Sequence, residues 1–204
     1  MKKSIMLFLI FAISVGLCAQ SAKQEALQSL DQAKNLINQN NLLKAQDELN
    51  YAQSKLGELL SAEVLKFIPG APTGFVLEDR QAANLGQAGA IIGSANAISA
   101  NGMYTKGDAD FDLSITVGGL VGQSGGLAGL AALFGGMSTS NTRNTRIKGY
   151  NATVEYDGSE LSGTLTIKVG EKITVIVQGD DIENTDMLNT LAETIDLAGL
   201  EKAF

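Results

Sequence analysis

Ser124 sits in Gly122-Gln123-Ser124-Gly125-Gly126, a G-x-S-x-G sequence between a predicted strand and a predicted helix. That is where a nucleophile elbow would lie. A serine hydroxyl attacks a carbonyl only when a base takes its proton, and the usual base is histidine. This chain of 204 residues has no His. Lys148 and Lys168 are candidate bases, but nothing in the spacing brings either one to Ser124. Residues 118–137 contain eight glycines, so a G-x-S-x-G match arises there from composition alone. The same stretch lacks the G-x-x-x-x-G-K-[ST] pattern of a phosphate-binding loop.

Carboxylate clusters are the next source of chemistry. Asp108, Asp110 and Asp112 resemble the start of a calcium loop. That loop needs Gly at its sixth position and Glu at its twelfth. Here those positions hold Leu113 and Gly119. The expectation is a solvent-facing edge of a strand, with a non-standard calcium site as the rival reading. Asp180, Asp181 and Glu183 offer the paired carboxylates of glycoside hydrolysis. Sugar sites lean on aromatic platforms, and the chain has no Trp. These acids are expected to end a strand and favour the start of the next helix.

Cys18 is the only cysteine, so a disulfide within one chain is excluded. With neither imidazole nor a second thiol, triad chemistry, Cys–His catalysis and His-assisted zinc sites are excluded too. The sequence therefore nominates no catalytic, cofactor-binding or metal-binding residue.

The first twenty residues, MKKSIMLFLIFAISVGLCAQ, read as a secretory signal peptide. Lys2 and Lys3 precede an apolar core, and Gly16, Cys18 and Ala19 supply small residues for cleavage after Ala19 or Cys18. The apolar run is too short for a comfortable membrane span, which takes about 20 residues. Cys18 raises a second reading, a lipid anchor, although Leu17 is bulky for the residue before a lipidated cysteine. No integral span is expected once the signal is removed.

The whole chain carries net charge −7, and losing two lysines and no acid with residues 1–19 takes it to −9. Residues 69–204 hold eight basic and sixteen acidic side chains. Such a surface repels nucleic acid and anionic headgroups. Arg143, Arg146 and Lys148 form the one basic cluster, with only Tyr150 as an aromatic neighbour, and are read as a solvated loop.

Four segments must position whatever acts. Residues 1–19 are the signal, 20–68 a helical hairpin, 69–75 a Pro/Gly linker, and 76–204 a sheet domain. In the hairpin, Ala26, Leu30, Ala33 and Ile37 recur at helical spacing, as do Leu42, Ala45, Leu49, Ala52, Leu56 and Leu59. Asn38–Asn41 reads as the turn. Lys44, Lys55 and Lys66 recur every eleven residues and are read as the solvated side. A single helical pair of this kind cannot bury its apolar face alone. Pro69 and Pro72, the only prolines, stop the second helix near Ile68.

Beyond the prolines, a strand is predicted from about residue 95 to 105, with a turn at Lys106-Gly107. Phe111, Leu113, Ile115 and Val117 alternate with Asp110, Asp112, Ser114 and Thr116, the pattern of a half-buried strand. The glycine-rich stretch 118–137 is expected to hold a short helix at 127–134. It would act as a flexible cover over the sheet, or as a surface for a partner or for self-association. Residues 150–177 read as a three-stranded meander with turns at Asp157-Gly158 and, in two-residue type II′ form, at Gly170-Glu171. A helix capped by Thr185 or Asp186 carries Met187, Leu191 and Ile195, and 197–204 is a short tail. The fold class is α+β: an N-terminal antiparallel helical hairpin, then an antiparallel sheet with helices packed on one face.

This layout resembles a group of uncharacterised exported bacterial proteins. The resemblance rests on the hairpin, the IPGAPTGF segment, the stretch YNATVEYDGSELSGTLTIKVGEKITVIVQGDDI and the later LAETIDLAGL. The sheet portion also looks like the PsbP-like α/β sandwich of several envelope lipoproteins. The resemblance spans most of the mature chain. It implies fold and location, and it brings no active site that transfers residue by residue. The glycine-rich 118–126 departs from the ordinary helix that the resemblance implies there.

Together these readings point to an exported protein, periplasmic or secreted. Its expected role is non-enzymatic binding or accessory work in the bacterial envelope, with another envelope protein or itself as partner and no nucleic acid. The rivals are a small serine- or carboxylate-dependent hydrolase and a structural, oligomeric envelope component.

Overall fold

A computed structural model describes residues 21–84, 97–118 and 142–204. The expected signal peptide with Cys18, the glycine-rich segment with Ser124, and the helix expected at 127–134 lie outside the described residues. The chain divides into two compact units, the first ending at Ala62 and the second starting at Glu63. Among the described residues there are four helices and seven strands in an α+β arrangement.

The first unit is the helical hairpin. Helix α1 covers 21–38 and helix α2 covers Leu42–Leu65, whose last three residues belong to the second unit. The α1 end has a specific chemistry. Asn40 takes the left-handed conformation (φ 53°), its N–H donates to Ile37 O at 3.0 Å, and the Asn41 N–H donates to Leu36 O at 2.9 Å. This is the Schellman closure, with Asn as the residue that tolerates positive φ. It reverses the chain within three residues.

The seam between the helices is made of small side chains. Ala22, Ala26, Ser29 and Ala33 of α1 and Ala45 and Ala52 of α2 are buried. The larger members of the predicted seams are not: Leu30, Ile37, Leu42, Leu49 and Leu56 remain 39–64 % exposed. A helix with one neighbour can cover only the centre of its apolar stripe. Alanine at the centre lets the backbones close up and leaves the flanking leucines outside.

The second unit is a seven-stranded, wholly antiparallel sheet in the order β1-β2-β3-β7-β6-β5-β4. The strands are β1 Val76–Asn84, β2 Ile98–Lys106, β3 Ala109–Val117, β4 Arg143–Ile147, β5 Tyr150–Asp157, β6 Ser162–Val169 and β7 Ile173–Asp180. Two sequential runs, β1-β2-β3 and β4-β5-β6-β7, meet where β3 pairs with β7.

The alternation read from the sequence sets the two faces. Leu113, Val177, Leu165 and Val154 form one cross-strand row, and Ile115, Val175, Ile167 and Ala152 the next. All are buried. Helix α3 (Asp186–Ala192) packs over β6 and β7, and helix α4 (Leu197–Ala203) over β6. They add Leu188, Leu191, Leu197 and Leu200 to the same core. Residues 69–75 belong to this unit. Ile68 and Phe75 are buried in its core, and the Tyr104 hydroxyl donates to Pro69 O at 2.8 Å.

Four expectations are corrected. The basic cluster is no loop: Arg143 and Arg146 lie on edge strand β4. Lys148 (φ 49°) and Gly149 (φ 88°) make its two-residue turn into β5, a pair of positive φ values suited to a type I′ hairpin. The β6–β7 connection has three residues, Gly170 to Lys172, because Val169 pairs with Ile173. The 197–204 tail is helical, started by Asp196, whose carboxylate accepts from the Gly199 N–H at 2.9 Å. Ile195 falls beyond the end of α3 and is buried between the two helices in sequence.

Candidate functional site

Among the described residues, exposed apolar side chains concentrate on the hairpin. Along one flank of its alanine seam runs a polar network. The Tyr51 hydroxyl donates to Glu25 Oε2 at 2.8 Å, and Ser21 Oγ donates to Glu25 Oε1 at 2.7 Å. Lys55 Nζ lies 3.2 Å from Glu25 Oε2 and 3.0 Å from Glu58 Oε1. Hydrogen bonds from Ser21, then Tyr51 and Lys55, hold the Glu25 carboxyl at about 2. The Glu25 contact raises Tyr51, and the Glu58 and Glu25 contacts raise Lys55. Lys55 is therefore a structural cation and not part of a free lysine stripe. Further along, Gln32 turns its amide nitrogen to Glu48 at 3.0 and 3.1 Å.

These bonds fix which way the other flank faces. Glu25 and Gln32 stand on one side of the α1 alanines, and Glu48 and Lys55 on the corresponding side of the α2 alanines. Because these polar flanks meet, the opposite flanks must share the opposite face. At helical phase, those flanks are Leu30 and Ile37 on α1 and Leu42, Leu49, Leu56 and Leu60 on α2. All six are exposed, from 39 % at Leu49 to 64 % at Leu42. The result is an aliphatic face that gathers six of the nine large hydrophobic side chains exposed on the hairpin, with Leu27, Leu43 and Tyr51 lying off it.

Among the described residues of the sheet unit there is no comparable face. Of the twelve large hydrophobic side chains exposed among the described residues, nine are on the hairpin. Only Val76, Met103 and Leu161 are on the sheet unit, and they are scattered. The chain matches no protein-family model, no curated protein and no solved structure.

The sheet face away from α3 and α4 is mostly polar, with Ile176 and Met103 as its apolar members. Arg146 pairs with Asn151 at its β4 edge, and Lys168, Thr174 and Thr116 form a cross-strand row. Asn144, Arg146, Asn151, Thr153, Thr166 and Lys168 line an open trough of about 610 Å³ at its β4 side. Burial lowers the Lys168 ammonium below its ordinary value. This face holds hydrogen-bonding groups and two cations. Yet it is not bare throughout, since Thr174, Thr116 and Ser99 are buried.

The two carboxylate clusters of the sequence separate into different settings. Asp108 lies in the β2–β3 turn, while Asp110 and Asp112 share the polar sheet face. Asp180, at the end of β7, pairs in register with Asp110. Burial, then the charges of Asp180 and Asp110, raise Asp112. Asp181 takes positive φ (56°) where the strand ends. Glu183 contributes its backbone carbonyl to the Tyr156 hydroxyl at 2.7 Å. The start of α3 is served instead by Asn184, which accepts from the Asp186 N–H at 2.9 Å. Among the described residues, no three His, Cys, Asp or Glu side chains are grouped to hold a metal ion. Lys148, one candidate base for Ser124, donates to Ile195 O at 2.8 Å. No described helix is long and apolar enough to cross a membrane.

The leucine face was partly visible in the sequence as a seven-residue period at Leu42, Leu49 and Leu56. Its outward orientation was not, because periodicity alone does not say which of two adjacent rows a single neighbour will cover.

Proposed function

We propose that this is an exported, non-enzymatic binding or accessory protein of the bacterial envelope, periplasmic or secreted, that works by protein–protein contact through its hairpin. The observation that carries this reading is the concentration of exposed leucines on one face of the hairpin. Exposed apolar patches of this kind mark contact sites, because burying them releases unfavourably hydrated surface. The signal-like N-terminus supports export. The lack of histidine, together with the single cysteine inside that leader, supports binding over turnover. The acidic balance of residues 69–204 disfavours nucleic acid and anionic headgroups as the partner.

The test is capture from envelope extract with the mature protein as bait, comparing the wild-type chain with Leu49→Ser/Leu56→Ser. Both leucines are exposed, so the pair of changes leaves the alanine seam in place. Loss of a specific captured protein, with unchanged circular dichroism, is the expected result. Equal capture by both baits would refute the assignment of this face. Ser124→Ala is expected to leave capture and any cellular phenotype unchanged; a lost phenotype with intact folding would favour the hydrolase reading.

A further inference from the structure

We infer that the aliphatic face of the hairpin is closed by the hairpin of a second copy of this chain, giving a four-helix bundle. This rests on the reading of that face as a contact surface and names its occupant.

The first argument is the period of α2. Leu42, Leu49 and Leu56 are seven apart, and so are Ala45, Ala52 and Leu59, offset by three. Two apolar rows at this spacing are the heptad pattern of helices that pack along their length with a slight left-handed supercoil. Inside one hairpin only the second row is used: Ala45 and Ala52 are buried and Leu59 is partly buried. The first row is left 39–64 % exposed. In a four-helix bundle each helix has two neighbours, so both rows are used. The unused row therefore calls for another helical surface, running for several turns.

The second argument is self-match. A second hairpin supplies a row of the same length and spacing, and a two-fold axis brings each face onto its own copy. The six outward side chains still expose on the order of 500 Å² per copy, so pairing removes about 1,000 Å² before any rim is counted, which reaches the threshold of a specific interface. Electrostatics do not oppose it. Residues 20–68 hold five Lys against six acids, whereas the sheet unit carries the excess negative charge. The Glu25, Lys55 and Glu58 charges are satisfied on the opposite flank.

The experiment is sedimentation equilibrium or light scattering on purified mature protein across a concentration series, with Leu49→Glu/Leu56→Glu and a control, Leu43→Glu. Leu43 is 84 % exposed and lies off the face at helical phase. Expected are a dimer for wild type, a dimer for the control, and a dimer dissociation constant raised at least ~100-fold by the double change. Leu49→Ser/Leu56→Ser serves if the charged pair unfolds the hairpin. A wild-type monomer at concentrations near 100 μM overturns the inference. So does a dimer indifferent to the leucine changes. If the protein is monomeric but the serine pair still abolishes capture from envelope extract, the second copy is wrong and the contact face stands. If capture is also indifferent, both fall.

Discussion

A Cβ placed on Gly179 would stand 2.9 Å from Leu188 Cδ2, closer than real side chains approach. Gly179 pairs in register with Gly163, whose own Cβ position lies 3.2 Å from Leu188 Cδ1. The two glycines form a hollow in the sheet into which α3 lowers Leu188, with Ile182 beside it. Gly179→Ala is therefore expected to destabilise the sheet unit by about 1–3 kcal/mol, through overpacking against a buried leucine and not through turn geometry. Urea unfolding of the variant measures it. In a Leu188→Ala background the added cost of Gly179→Ala should shrink, because the clashing methyl is gone, and an unchanged midpoint for Gly179→Ala alone would refute the docking geometry.

The Glu25 carboxyl gives the hairpin an acid dependence. Its folded value of about 2 lies below its ordinary 4.5. A lowered carboxylate stabilises the folded state fully above about 4.5, and that contribution fades as pH falls toward about 2. Glu25→Gln should melt earlier than wild type at neutral pH, and the gap should close between those two values. Thermal melts followed by helix signal from pH 7 to pH 2 decide it. A gap that stays constant with pH would show that the network carries no charge-dependent stability.

Asp112 is expected to behave in the opposite sense. Its carboxyl is raised by burial and by Asp180 and Asp110. A raised carboxylate costs stability when ionised, and the cost disappears as pH falls and the group takes up its proton. Asp112→Asn should therefore stabilise the sheet unit at neutral pH and make no difference in acid. Denaturation midpoints at pH 7 and pH 3 test the sign. A variant less stable than wild type at pH 7 would mean that an attraction, such as a bound cation, outweighs the repulsion.

Much of the sheet was legible because alternation is a local signal. Phe111, Leu113 and Ile115 fall on the covered face and Asp110 and Asp112 on the polar one, as their period of two requires. The meander was legible for the same reason. Strand β4 was hidden because Arg143, Asn144, Thr145 and Arg146 carry no apolar alternation. An edge strand is paired on one side only and tolerates charge. Helix α4 was hidden by its length of seven residues, too short to show a period. The contact face was half legible: the leucine spacing could be read, but not the fact that alanine would take the seam.

From the sequence alone come the absence of imidazole, the acidic balance of the second unit, the hairpin with its asparagine turn, and the face assignment of most strands. These follow from side-chain chemistry and from periods of two or 3.6 residues, which need no knowledge of distant neighbours. The tertiary structure decided that β3 lies beside β7 and that Gly163 and Gly179 open a seat for Leu188. It also decided that the hairpin turns its alanines inward and its leucines out. Those outcomes depend on contacts between residues far apart in the chain, where the fit of one surface to another selects among rows that local pattern leaves equivalent.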